Sequence, residues 1–173
     1  MVTPIVKNVV VNCTAAHAYD VFVNQTARWW PLDKHAVSAM SGQPAQAVTI
    51  EPRIGGAVYE TIADGSRSDW GQVTDIRPNE HITMTLHPGR SAENPTEVRL
   101  TFRAVDAGNT EVTLVHSQWD RLGADAAKSR DGYETGWVLV LDTCFVQGLC
   151  IGKCCVRMTL NVAAELLNQA LVH

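Results

Sequence analysis

Val98, Leu100 and Phe102 alternate with Glu97, Arg99, Thr101 and Arg103, and this period of two is the feature that most constrains the fold. Alternation sends successive side chains to opposite faces of a strand, so the segment has one apolar face and one wet face. Ile82, Met84 and Leu86 alternate in the same way with His81, Thr83, Thr85 and His87. Five further stretches read as strands: Pro4–Asn12, Gln46–Glu51, Ala57–Ile62, Trp70–Ile76 and Glu111–Ser117. Asp64-Gly65, Arg77-Pro78-Asn79 and Ala107-Gly108-Asn109 punctuate them as tight turns. Strands joined so briefly form an antiparallel meander, covered on one side only.

The cover is helical. Tyr133, Trp137, Val140, Leu141 and Cys144 recur at helical spacing and form one stripe. The polar run Asp125–Asp131 suits the start of that helix, whereas Gly148 and Gly152 weaken its continuation. Thr14 is placed to cap a short helix whose apolar face is Ala15, Ala18, Val21 and Phe22. Thr26–Trp30 adds one more turn, which Pro31 ends. Val162–Leu171 forms a last helical patch. Its apolar face (Leu160, Ala163, Ala164, Leu167 and Leu171) suits either a homodimer contact or packing on its own domain.

Composition removes several classes of function. The chain has 173 residues, enough for one domain, and 14 Lys+Arg against 18 Asp+Glu, a net charge of −4. It lacks the basic excess of a duplex-binding protein, so no nucleic-acid partner is expected. The N-terminus has no signal-peptide pattern, and the most apolar stretch, Trp137–Ile151, is too short and too interrupted to span a bilayer. The expected location is cytoplasmic. The five cysteines do not suggest a disulfide framework, and Cys150, Cys154 and Cys155 lack ordinary zinc-site spacing, so no metal is expected. No cofactor motif is present: the chain has no Walker loop, dinucleotide fingerprint, HExxH or GxSxG.

Six motifs then occur in order. They are Trp29-Trp30-Pro31, Glu51-Pro52-Arg53-Ile54-Gly55-Gly56, Asp64-Gly65, Trp70-Gly71-Gln72-Val73, Leu114-Val115-His116-Ser117-Gln118-Trp119, and Tyr133-x2-Gly136-Trp137. In these the chain resembles the SRPBCC superfamily (START/Bet v 1-like), over about residues 5 to 146. Within it, the chain resembles the branch of homologues of the activator of the heat-shock-protein-90 ATPase. The resemblance implies an α+β helix-grip fold. A curved antiparallel sheet of six to seven strands wraps a long C-terminal helix, with two short helices after strand 1. Residues 1–148 would form this domain and 149–173 a helical extension. The resemblance also implies a cavity between sheet and helix that takes a small hydrophobic or aromatic ligand.

The residues offer candidates for that cavity. By alternation His116 shares a face with Val112 and Leu114, where its imidazole would orient a ligand, act as acid or base, or simply fill the core. Glu60 lies between Val58 and Ile62 and enters the cavity if that face is concave; otherwise it is solvated. Trp29, Trp30, Trp70, Trp119 and Trp137 fall near predicted element ends, and flat aromatic side chains suit either pocket walls or the core. Tyr133 shares the helix face of Trp137, and Gly132 and Gly136 either open room for a ligand or a close backbone approach or mark a frayed helix start. Whether the protein is an enzyme stays open. A binding module is the leading expectation. An acid–base enzyme of cyclase, dehydratase or hydrolase type in the same cavity, or a chaperone-associated interaction domain, are the alternatives.

Overall fold

A computed structural model describes residues 1–150. The expected dimer face, and all but the first two residues of the expected extension, lie outside the described residues. Seven strands form one antiparallel sheet in the order β1-β7-β6-β5-β4-β3-β2. They are β1 (Ile5–Val11), β2 (Ala47–Ile50), β3 (Ala57–Thr61), β4 (Arg67–Arg77), β5 (His81–Leu86), β6 (Thr96–Ala104) and β7 (Thr110–Ser117). Helices α1 (Ala15–Asn24) and α2 (Thr26–Trp29) follow β1. Thr14 caps α1 as expected, its Oγ1 accepting from the His17 N–H at 3.3 Å. The fold is α+β, a curled sheet around a long C-terminal helix.

The alternation fixes which side of the sheet is inside. Leu100, Leu114 and Ile82 are fully buried on one face, while Arg99 and Arg103 point out. A row of paired residues crosses that inner face: Ile5 opposite His116, His116 opposite Val98, Val98 opposite Met84, and Met84 opposite Val73. Register shifts between Val58 and Tyr59 and between Val73 and Asp75 interrupt the ladders that flank β4. Such bulges bend strands and increase twist, which helps the sheet to curl.

After a 3-10 stretch at Trp119–Asp125, the C-terminal helix runs as α3 (Ala126–Trp137), a π-helical segment Val138–Phe145, and α4 (Val146–Cys150). The π segment alters the expected stripe. Trp137, Val140 and Leu141 are buried as the spacing predicts, but Phe145 and Leu149 take the next core places and Cys144 is only half-buried. Core positions 137, 141, 145 and 149 are four apart, and an ideal α-helix would drift about 40° at each such step. The wider π turns hold the stripe on the sheet. Nor does Gly148 end the helix. A Cβ there would lie 2.5 Å from Cβ of Trp29, so the glycine is what lets the helix pass over the tryptophan.

Candidate functional site

Between the curled sheet and the C-terminal helix lies a cavity of about 610 Å³. Its apolar walls include Trp30, Val37, Trp70, Leu86, Trp137 and Val140. Trp70 and Trp137 are almost wholly buried, and the Trp30 ring centroid lies 5.6 Å from that of Trp70 and 6.2 Å from that of Trp137. These three indoles, from the residue that ends α2, from β4 and from α3, make one continuous aromatic wall. The Trp70 indole N–H is buried with no hydrogen-bond partner among the described residues.

The segment from Pro31 to Gln46 contributes Lys34, His35, Val37 and Met40 to the cavity lining, and Glu60 ties it to the sheet. Glu60 is 1% exposed, on the inner face of β3. Its carboxylate accepts the backbone N–H of Val37 at 2.8 Å and of Ser38 at 3.0 Å. Hydrogen bonds to an ionised acceptor are among the stronger ones. Trp30 adds a second tie, its indole N–H donating to the His35 carbonyl at 2.7 Å. Glu60 is therefore inside the fold, neither solvated nor on the cavity wall. It anchors the segment that carries His35, Val37 and Met40 to the cavity.

His116 is likewise committed to the framework. It is fully buried, and its ring stacks near Trp119, with centroids 4.0 Å apart, and against the edge of Tyr133 at 4.8 Å. Nε1–H of Trp137 donates to His116 Nδ1 at 3.0 Å. An indole nitrogen can only donate, so Nδ1 must be bare and the ring proton must sit on Nε2. Nε2–H then donates to Thr96 Oγ1 at 2.8 Å, and that hydroxyl donates to the Leu86 carbonyl at 2.9 Å. Trp119 closes the cluster by donating to the His116 carbonyl at 2.9 Å. Burial, helped by the nearby Arg90 charge, pushes the imidazole pKa down to about 3. The neutral ring joins helix, β5, β6 and β7 through one chain of hydrogen bonds.

Of the eight residues expected at the site, Trp30, Trp70, Tyr133 and Trp137 line the cavity. Glu60, His116 and Trp119 stand behind the wall. Trp29 lies deeper in the core against Phe22 and Phe145, its indole N–H bonded to the Val21 carbonyl at 2.9 Å.

The polar groups that do reach the cavity are others: Lys34, His35, Arg90, Asp125, Lys128 and Ser129. Burial, reinforced by the Lys34 charge and opposed by Asp33, lowers the His35 pKa. Burial raises the Tyr133 phenol above its ordinary range against the opposing pull of Arg90. A signal for some of these was available. Pro31–Gln46 is long for a connection in a compact domain, and such segments tend to be functional.

Glycines shape the helix side as expected. Gly136 admits the His35 ring, which would come within 3.2 Å of a Cβ at that position. Gly132 faces open space on the cavity wall. Among the described residues no cluster of acids, histidines and cysteines could hold a metal ion, and no helix is long and apolar enough to cross a membrane.

A sheet closed over a C-terminal helix with a hollow between them defines a helix-grip protein of the SRPBCC class. More narrowly, the family described as "Activator of Hsp90 ATPase homolog 1-like protein" matches residues 12–143, and the chain belongs to it. Among solved structures, it is similar to CalC, a self-sacrificing resistance protein from Micromonospora echinospora, with 22% identity and a TM-score of 0.64 over 84% of this chain and 93% of that one. It is also similar to Txn09, an anthrahydroquino-γ-pyrone synthase complexed with SUM, at 24% identity and a TM-score of 0.57 over 85% and 97% of the two chains. The Aha1 dimer from Colwellia psychrerythraea matches at 15% identity and a TM-score of 0.55 over 84% and 98%. These likenesses show the fold. Comparison with curated proteins returns no match.

Proposed function

We propose that the protein binds a small hydrophobic or aromatic molecule between the sheet and the C-terminal helix. The observation that carries this reading is the hollow of about 610 Å³ walled by Trp30, Trp70 and Trp137. Its size is that of a small-molecule site, and its mostly apolar walls with a few polar groups match such sites in general. Met40, at 88% exposure, lines the same cavity, and a flexible thioether at a rim adapts to varied apolar guests. Titration with N-phenyl-1-naphthylamine, a neutral aromatic fluorophore, tests the reading. Saturable one-to-one binding, weakened by Trp137→Ala, is expected; absence of saturable binding refutes it.

One observation favours an acid–base enzyme of cyclase type in the same space. The His35 imidazole lines the cavity, and its lowered pKa keeps it neutral near neutral pH, the state a general base requires. The similar fold of a γ-pyrone synthase is compatible with that reading. If a substrate is found, His35→Gln should abolish turnover while leaving binding largely intact.

A further inference from the structure

Three cations line the cavity, and they come from three separate parts of the chain. Lys34 belongs to the segment after α2, Arg90 to the connection between β5 and β6, and Lys128 to the first turn of α3. Asp125 is the one acid on the wall among the described residues. The cavity lining thus has two net positive charges, three minus one, in a chain whose net charge is −4.

Among the described residues these cations have no carboxylate within ion-pair distance. The ion pairs of the described residues use Lys7, Arg53, Arg67, Arg77, His81, Arg99, Arg103 and Arg130. Lys128 is also placed where a helix gains nothing from it. A cation in the first turn opposes the helix dipole, that turn contains no acid, and the Asp125 side chain makes no capping bond. Arg90 lies 6.0 Å from the Tyr133 ring centroid, at the aromatic wall. All three cations are exposed, so their charged ends stay hydrated beside an apolar interior.

Resting on the reading of the cavity as a ligand site, we infer that its ligand is an amphipathic anion, an aromatic body carrying a carboxylate or similar acidic group. The rings meet the indole wall, and the acid stays near Lys34, Arg90 and Lys128. Each exposed pairing is worth little alone, but three act on one charge in the same place. Together they amount to on the order of tenfold in affinity.

Two probes with one scaffold separate charge from shape: 8-anilinonaphthalene-1-sulfonate, an anion, and neutral N-phenyl-1-naphthylamine. The readout is the ratio of their dissociation constants, anion over neutral. In K34Q/R90Q/K128Q that ratio should rise about tenfold over wild type, and about two- to threefold in each single variant. In the wild-type protein, raising salt from 20 mM to about 0.5 M should move the ratio the same way, because exposed charges are screened. A ratio that changes less than twofold in the triple variant and with salt, while both probes saturate, overturns the inference and leaves the cavity reading standing. If neither probe saturates, the cavity reading falls and this inference with it. The salt series uses the unaltered protein, so a variant that failed to fold would not remove the test.

Discussion

Thr96→Val tests the buried chain Trp137–His116–Thr96–Leu86. Valine matches threonine in shape, and Thr96 is fully buried, so the change removes the hydroxyl with little repacking. What is lost follows from the geometry. The His116 Nε2–H, 2.8 Å from Thr96 Oγ1, loses its acceptor in the buried core, and the Leu86 carbonyl loses a donor at 2.9 Å. A buried donor left unpaired costs roughly 1–3 kcal/mol. The ring cannot escape by changing tautomer, because Trp137 Nε1–H already occupies Nδ1 at 3.0 Å. The extra valine methyl recovers part of the loss, which leaves about 2 kcal/mol. For a chain of this length that corresponds to about 4–8 °C in Tm. Urea unfolding of wild type, Thr96→Val and Thr96→Ser measures it. The serine variant keeps the hydroxyl and should lose only about 1 kcal/mol, for its missing methyl. A valine variant within 0.5 kcal/mol of wild type, or less destabilised than serine, would refute the relay. Nitrogen NMR gives an independent check, since the His116 proton must reside on Nε2.

Acid should also destabilise the protein through His116. Its folded pKa of about 3 lies below the ordinary value of 6.5, so between those values the unfolded chain binds a proton that the fold refuses. Stability therefore falls as pH drops below about 6.5, by about 2 kcal/mol at pH 5, and His116→Gln should flatten that part of a urea-midpoint profile. On the helix, Gly132→Ala should stabilise by up to about 1 kcal/mol, since its Cβ would meet nothing within 4 Å. Gly136→Ala must displace the His35 ring and should weaken N-phenyl-1-naphthylamine binding; the reverse order of effects would refute this account of the cavity wall.

The framework was legible in the sequence because alternation and helical spacing are direct records of burial. In β7, and in β6 from Thr96 to Phe102, every second side chain enters the core, and the pattern therefore names both strand and inner face. β4 was the exception. Its first three residues, Arg67, Ser68 and Asp69, carry no apolar signal, yet they pair with β3 as part of the strand. Backbone bonding there does not depend on burial, so hydrophobicity could not mark it. The π segment was hidden for a different reason. Its effect is a phase shift, visible only where Phe145 replaces Cys144 against the core.

The cavity was less legible than the fold because its chemistry is placed by long-range contacts. His116 looked like a ligand group because an imidazole on an inner strand face is costly unless something satisfies it. What satisfies it lies 20 residues away at Thr96 and 21 at Trp137, in elements whose registry a linear pattern does not contain. Glu60 repeats the lesson, with partners 22 and 23 residues upstream. For His116 alternation gives the direction of the side chain, for Glu60 it leaves the direction open, and in both the partner decides the role. The cavity groups Lys34, His35 and Arg90 sit in connections, where no periodicity operates. Their convergence follows from the buried ties: Glu60 fixes the segment bearing Lys34 and His35, and Thr96 fixes the end of the connection bearing Arg90 to Leu86 and His116. The inward polar residues are therefore supports of the cavity, and three of the polar groups that line it, Lys34, His35 and Arg90, lie in the connections they hold.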